Sequence, residues 1–181
     1  MKNLRNLLIL LTFFISSQML AQVELKVGPL GLLFESPDIS GEYLFNDDFS
    51  LEATLGLDLG DFDSSFGRYD RRGFSTLLEL KYFFKTREGA DRFYTSFYAG
   101  PEYIKLDDDF ETLNGTLFTA GMMLGYKWVG KRNVIFEAAL GGGRNYGSLQ
   151  SEGRNFDSEL RRPVDFRWKL AIGYRFNNKT S

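Results

Sequence analysis

The chain has 181 residues, with 24 acidic and 22 basic side chains, no Cys and no His. This length suits one domain, and the slight negative charge argues against nucleic acid as a partner. Without Cys there is no disulfide, and without His or Cys the usual catalytic nucleophile arrangements and zinc sites are missing. We therefore expect no enzyme activity, no cofactor and no metal.

The first 21 residues have the features of a secretory signal peptide. Lys2 and Arg5 precede an apolar run at 7–15, and Ala21 is the small residue at the expected cleavage point. The run is too short to cross a bilayer as a helix, and no later segment approaches the ~20 apolar residues that a membrane helix needs. We predict a signal peptide at 1–21 and a barrel domain at 22–181.

After the signal peptide, apolar and polar residues alternate with a period of two, which predicts strands with one apolar face. Eight strands are predicted, at Val23–Phe34, Ile39–Phe45, Phe49–Leu59, Phe74–Phe84, Phe93–Tyr103, Phe118–Trp128, Val134–Leu140 and Val164–Phe176. In the first of them the apolar positions change parity at Pro29. A one-residue bulge at Gly28-Pro29 would keep both halves facing the same way.

The connections between these strands alternate in length. The short ones are Asn46–Asp48, Lys85–Asp91 and Gly130–Asn133; the long polar ones are Gly60–Arg72, Asp107–Asn114 and Arg144–Pro163. Glu35–Asp38 is a short exception. This layout predicts an eight-stranded antiparallel up-and-down transmembrane β-barrel in the cell outer membrane, with the short turns and both termini periplasmic.

A soluble lipocalin-like calyx would show the same alternation with its apolar face turned inward around a ligand. The polar face decides in favour of a membrane barrel, because it carries many glycines and charges of both signs, as a narrow barrel interior requires. We predict an interior ion-pair network of Glu52, Glu79, Lys81, Glu102, Glu137, Arg167, Lys169 and Arg175. Acid–base catalysis by its glutamates is the alternative that we disfavour.

Three segments resemble small outer-membrane β-barrels of Gram-negative bacteria. They are Val-Gly-Pro-Leu-Gly-Leu-Leu-Phe at 27–34, Tyr-Ala-Gly-Pro-Glu-Tyr at 98–103 and Lys-Leu-Ala-Ile-Gly-Tyr-Arg-Phe at 169–176. The chain is most similar to uncharacterised members of unknown function, and more distantly to the OmpA and OmpX barrels and other porin-like proteins. The last segment also resembles the signal read by the barrel-assembly machinery, with Lys169, Tyr174 and Phe176 in matching places. Ala171, which replaces the usual Gly, and the tail Asn177–Ser181 depart from that signal.

Several arginines fall in or beside the predicted outer loops, where lipopolysaccharide phosphates would lie. Because Arg binds phosphate bidentately, Arg68, Arg71, Arg72, Arg161 and Arg162 are candidates for lipopolysaccharide contact. Ordinary ion pairing within the loops is equally compatible with the sequence.

Two other segments suggest ligands only weakly. Asp107-Asp108-Asp109 with Glu111 offers oxygen ligands for Ca²⁺ but lacks a calcium-loop spacing, so a solvated acidic loop is favoured. Gly141–Gly147 lacks the Lys-Ser/Thr pair of a phosphate-binding loop.

A structural or loop-mediated interaction role in the outer membrane is the function that the sequence favours. Side chains just fill an eight-stranded barrel, so a wide pore is not expected. A narrow channel and the soluble calyx remain as alternatives. The expected partners are outer-membrane lipid and lipopolysaccharide, and the barrel-assembly machinery during insertion; the oligomeric state stays open, a monomer being one alternative.

Overall fold

A computed structural model describes residues 22–29, 31, 35–59, 61–64, 67–87, 89–107, 112–151 and 164–176, with backbone alone at 61–64, 67–71, 106–107, 112–114 and 148–151. The predicted signal peptide at 1–21 and the tail Asn177–Ser181 lie outside this range. No helix in the described part is long and apolar enough to cross a membrane.

The described elements are nine antiparallel strands. They are β1 (Gln22–Val27), β2 (Asp38–Leu44), β3 (Phe49–Asp58), β4 (Asp61–Ser64), β5 (Gly67–Phe83), β6 (Arg92–Asp107), β7 (Thr112–Val129), β8 (Val134–Ser151) and β9 (Asp165–Phe176). Strands that are neighbours in sequence pair with each other, except for β3 and β4. These two lie end to end and pair with consecutive parts of β5 in one continuous register. They therefore count as one barrel strand. Pairing of β1 with β9 closes the sheet, and the predicted eight-stranded up-and-down barrel is confirmed.

The first strand is shorter than predicted, and the predicted bulge is wrong. β1 ends at Val27, and the N–H of Gly28 donates the last rung to the carbonyl of Asp38 at 3.2 Å. The chain then leaves the ladder, because Pro29 has no N–H to continue it. Leu30, Leu32 and Phe34, on which the predicted parity change depended, lie outside the described residues.

Strands β5 and β8 extend further at their loop ends than the alternation predicted. β5 begins at Gly67 inside the predicted loop Gly60–Arg72, and β8 continues to Ser151 inside the predicted loop Arg144–Pro163. Cross-strand pairing still holds at Asp70 with Asp107. Arg72 and Arg144 are exposed where these extensions begin, and a strand pair needs backbone hydrogen bonds but no apolar outer face.

Candidate functional site

Two lysine ammonium groups lie among three buried carboxylates near the barrel centre. The carboxylates are those of Glu42, Glu52 and Glu137. Lys26 Nζ contacts all three, and Lys81 Nζ contacts the same three at 2.6 to 2.9 Å. Since all five side chains are fully buried, each charge is balanced inside the barrel instead of by water.

Further ion pairs extend this cluster along the barrel axis. Lys127 Nζ lies 2.9 Å from Glu24 and 2.6 Å from Glu42. Lys169 Nζ contacts Glu52 and lies 2.9 Å from Glu79. Arg175 Nη2 lies 2.6 Å from Glu24. We call the whole set the charged layer; it consists of Glu24, Glu42, Glu52, Glu79, Glu137, Lys26, Lys81, Lys127, Lys169 and Arg175, five acids against five bases.

The charged layer is not arranged as a metal site. Within the described residues, one group of three carboxylates lies close enough to share an ion, namely Glu42, Glu52 and Glu137, with oxygens within 4.8 Å of one another. Lys26 and Lys81 already place ammonium groups among those oxygens. The lysines therefore supply the positive charge that an ion would otherwise provide.

The turn that joins β5 to β6 closes one end of the barrel beneath the charged layer. Ala90 in this turn is fully buried, and its N–H donates to the carbonyl of Asp47 at 2.7 Å. The guanidinium of Arg175 donates to the carbonyls of Gly89 at 2.7 Å and Ala90 at 3.0 Å. The same side chain thus neutralises Glu24 and holds the closing turn in place.

Glycines make room for two inward tyrosines beside the charged layer. A Cβ at Gly125 would lie 2.3 Å from the ring of Tyr94, and one at Gly143 would lie 2.7 Å from the hydroxyl of Tyr98. Only Gly allows these rings to lie against the barrel wall. Small interior residues of this kind are what the sequence predicts for a narrow barrel.

A cavity of about 400 Å³ occupies the half of the barrel that faces away from the short turns. Glu79 and Lys169 of the charged layer line it, together with a second set of interior polar residues: Ser36, Asp38, Thr54, Asp58, Ser75, Tyr98, Glu102, Asp165 and Arg167. Asp165 Oδ2 accepts hydrogen bonds from the Tyr98 hydroxyl at 2.7 Å and from Arg167 Nε at 3.2 Å. Among the described residues, the interior is thus filled on the turn side and contains a cavity on the loop side.

The outer surface formed by the described side chains is apolar between the short turns and the loop-side ends of the strands. Its exposed side chains include Leu55, Leu80, Phe97, Leu124 and Leu170. We call the strand positions at Arg72, Lys105 and Arg144 the loop-side rim. Among the described residues, no charged side chain points outward between the short turns and this rim.

Aromatic residues border this apolar surface beside the short turns. We call them the turn-side aromatic ring; they are Tyr43, Phe45, Phe49, Tyr82, Phe84, Phe93, Tyr126, Trp128, Phe136, Tyr174 and Phe176. Many contact a neighbour on the next strand, as Phe93 does with Tyr126 at a centroid distance of 4.8 Å.

Residues 5–159 match the model of a protein family, DUF3575, which is described as a protein of unknown function. The match takes in β1 to β8. The chain belongs to the DUF3575 family. No curated protein matches it. The resemblance to the OmpA and OmpX barrels stays a prediction, because the DUF3575 match names neither.

In this DUF3575 protein the structure brings together most of the residues predicted to form the interior network. Glu52, Glu79, Lys81, Glu137 and Lys169 contact one another directly, and Arg175 joins them through Glu24. Arg167 pairs with Asp165, and Arg167 and Glu102 line the cavity together with Glu79 and Lys169. The prediction omitted four members of the charged layer, although they occupy inward positions of the alternation: Glu24, Lys26, Glu42 and Lys127.

The other predicted sites are only partly described. Among the arginines predicted to contact lipopolysaccharide, Arg72 is exposed on β5, whereas Arg68 and Arg71 are described by backbone alone. Arg161 and Arg162 lie outside the described residues, as do Asp108, Asp109 and Glu111 of the weak calcium candidate. Gly141–Gly147 lies within β8, so this segment is a strand and not a phosphate-binding loop.

The residues of the predicted assembly signal point to opposite faces of β9. Tyr174 and Phe176 are outward members of the turn-side aromatic ring, with ring centroids 5.1 Å apart. Lys169 points inward to Glu79. Its place in the charged layer is a structural reason for a lysine at this position that is independent of assembly.

Proposed function

We propose that this DUF3575 protein is an integral outer-membrane β-barrel with a structural or loop-mediated interaction role, and that it forms no wide pore. The observation that carries the proposal is the charge-free apolar surface around the described barrel. In water, such a surface would far exceed the few hundred Å² of contiguous apolar area that monomers expose. Lipid acyl chains are the environment that suits it.

The height of the apolar surface supports the proposal. On the β5 side of the barrel it runs from Phe74 to Phe84. At a rise of about 3.4 Å per residue this is about 34 Å of strand, or about 26 Å along the membrane normal at a tilt of about 40°. Outer-membrane barrels have an apolar band of about 25 Å.

The turn-side aromatic ring supports the predicted orientation, with the short turns and both termini in the periplasm. Aromatic side chains such as Trp128 and Phe176 prefer the boundary between acyl chains and water. They lie next to the short turns and the chain end, and short turns are periplasmic in barrels of this class. Insertion by the barrel-assembly machinery, with Tyr174 and Phe176 in the recognised strand, is part of the same proposal.

The charged layer supports the proposal that no wide pore exists and disfavours a narrow channel. Glu42, Glu52, Lys81 and Lys127 are not more than 1 % exposed, so water does not reach them from either end. An ion crossing the barrel would have to break several buried ion pairs, each costly to separate. The same polar interior favours a membrane barrel over a lipid-binding calyx, whose interior would be apolar.

Lipopolysaccharide is the partner that the loop-side rim fits best. Arg72 and Arg144 are exposed on the outer face beyond the apolar surface, with Lys105 paired opposite Arg72 in the sheet. The phosphate groups of lipopolysaccharide at the membrane surface would form charge-assisted hydrogen bonds with these cations. Replacing Arg72 and Arg144 by Gln should weaken binding of purified lipopolysaccharide, whereas replacing the exposed turn-side residues Lys131 and Arg132 by Gln should not. Equal effects of the two pairs would remove the assignment.

The test of the membrane proposal is fractionation followed by electrophoresis in SDS. The protein should be found in the outer-membrane fraction and should resist extraction at alkaline pH. Its band should shift when the sample is boiled, because a closed barrel stays folded in SDS until heated. A protein found in the soluble periplasmic fraction, with no heat-dependent shift, would favour the calyx alternative.

A further inference from the structure

Both faces of strand β9 line the cavity. Three inward residues and the three outward residues that alternate with them all border it: Asp165, Phe166, Arg167, Trp168, Lys169 and Leu170. Successive side chains of a strand point to opposite sides of the sheet. A cavity that contacts both sides must therefore pass around an edge of the strand. One edge of β9 pairs with β8 along this stretch, so the cavity passes around the edge that faces β1.

The short β1–β2 hairpin explains why the cavity can pass this edge. Pairing of β1 with β9 stops at Val27 and Ile172, whereas β9 extends back to Asp165. Across the hairpin, Leu57 of β3 and Phe74 of β5 are outward, exposed residues that line the same cavity. The interior is therefore connected here with the apolar outer surface. We call this place the lateral opening; it is bordered by Leu57, Phe74, Phe166, Trp168 and Leu170.

Polar groups on the inner side of the lateral opening already bind one another. Ser36 Oγ donates to Asp58 at 2.7 Å, and Asp165 accepts hydrogen bonds from Tyr98 and Arg167. A charged ligand would have to compete with such pairs, which are costly to separate. Ligand hydroxyl groups can instead add to them, because each carboxylate oxygen accepts more than one hydrogen bond. An uncharged head group that carries hydroxyls therefore suits this space best.

The cavity floor offers such a head group a further acceptor. Glu79 is 4 % exposed, and its Oε2 accepts a hydrogen bond from Lys169 at 2.9 Å. Its Oε1 is buried and has no hydrogen-bond partner among the described residues. Leaving a buried carboxylate oxygen without a donor costs free energy, and a ligand hydroxyl would supply that donor. The volume of about 400 Å³ falls within the usual size of small-molecule sites.

The outer side of the lateral opening suits an acyl chain. Val27 and Ile39 form the last rung of the β1–β2 ladder, at the border of the opening, and both are exposed and apolar. We propose that the lateral opening binds a membrane amphiphile, with its uncharged, hydroxyl-bearing head group in the cavity and its acyl chain on the apolar surface. This inference rests on the proposed membrane function, because the amphiphile would enter sideways from the lipid.

The test uses Trp168, which borders the lateral opening, as the reporter and Trp128 in the turn-side aromatic ring as its matched control. The full-length variants W128F and W168F each keep one tryptophan and are placed in vesicles of unbrominated phosphatidylcholine. A monoacylglycerol brominated on its acyl chain is added at increasing mole fraction. Quenching of Trp168 should saturate, and at a mole fraction about tenfold below that which quenches Trp128 equally. Quenching of Trp128 should only follow the amount of probe in the bilayer.

A substitution inside the cavity separates binding from general contact with lipid. Thr54→Phe places a ring in the cavity and should abolish the saturable quenching of Trp168. Thr95→Phe is the control, because Thr95 lies on the outer face of β6 between exposed Phe93 and Phe97, and it should leave the quenching unchanged. Heat-dependent migration in SDS checks that each variant keeps the barrel. The comparison of the two tryptophans tests the proposal even if Thr54→Phe fails to fold.

Three results would overturn the proposal. The first is quenching of both tryptophans in simple proportion to the probe. The second is saturable quenching of Trp168 that survives Thr54→Phe. The third is saturable quenching by a brominated fatty acid but not by the monoacylglycerol, which would assign the opening to a charged head group. A lack of quenching of either tryptophan, even in vesicles made wholly of brominated lipid, would contradict the membrane function and this proposal with it.

Discussion

The hydroxyl of Tyr94 on β6 donates a hydrogen bond of 2.6 Å to Glu137 Oε1 on β8, passing over the intervening strand β7. The tyrosine ring lies directly against Gly125 of β7. The side chain therefore completes the hydrogen bonding of a carboxylate in the charged layer and fills the space above a glycine. Charge pairing and packing are coupled at this point of the barrel.

The contact between Tyr94 and Gly125 leads to the first prediction. Gly125→Ala should lower the free energy of unfolding by about 1–3 kcal/mol, because overpacking displaces a ring that cannot move without losing its hydrogen bond. Gly142→Ala is the matched control, since a Cβ there points outward and meets its nearest atom at 3.4 Å. Urea unfolding in lipid vesicles measures both, and equal losses would mean that Tyr94 is not packed as described.

The second prediction concerns the balance of the charged layer. Lys26→Met should lower the free energy of unfolding by about 3–5 kcal/mol, because it leaves the buried charged layer with one uncompensated negative charge. Adding Glu42→Gln to this variant should restore part of the stability by returning the layer to neutrality. Lys131→Met, at an exposed turn position, should leave stability unchanged. Additive losses for Lys26 and Glu42 in the same unfolding assay would show that the two charges act independently.

The third prediction concerns the apolar surface. Leu124→Arg should lower stability in a bilayer by about 2–4 kcal/mol, because outward Leu124 lies well inside the apolar surface. Thr116→Arg is the control on the same strand, at an exposed position nearer the loops, and should cost about 0–1 kcal/mol. The same unfolding assay compares them. If both arginines had the same effect, the outer surface would not face acyl chains.

The fourth prediction is the absence of ion conduction. A planar bilayer containing the purified protein should show no discrete current steps, because fully buried ion pairs such as Lys81 with Glu52 close the interior. An eight-stranded barrel has little other interior space in this region. Uniform current steps that scale with protein concentration would support the narrow-channel alternative.

Alternation of apolar and polar residues was sufficient to predict the barrel and the inward position of the charges. A period of two assigns each side chain to a face once the strand is known, and so Glu52, Lys81 and Glu137 could be placed inside from the sequence. Which charges contact one another depends on the register between strands distant in sequence, such as the separation of 111 residues between Lys26 and Glu137. For this reason Lys26 was on the correct face but absent from the predicted network.

Features without apolar alternation could not be predicted in this way. The first strand ends at Val27 because Pro29 has no N–H with which to continue the ladder. The loop-side extensions of β5 and β8 are backbone ladders whose sequences lack the apolar alternation. The closing turn at Ala90 is held by Arg175, a contact between residues 85 positions apart. The cavity likewise forms because the inward side chains on the loop side do not fill the barrel interior. The alternation of apolar and polar residues does not predict how well the interior is filled.

Fluorescence of the two tryptophans gives the most direct test of the central claim that the apolar outer surface faces lipid. Trp128 lies in the turn-side aromatic ring, Trp168 lies further along the apolar surface, and both are about half exposed and point outward. Each tryptophan is measured alone, Trp168 in the variant W128F and Trp128 in the variant W168F. In vesicles of lipids brominated on their acyl chains, the fluorescence of each variant should be much weaker than in vesicles of the same lipids without bromine. Emission that is unchanged by bromine and shifted to the red, as for tryptophan in water, would contradict the membrane account.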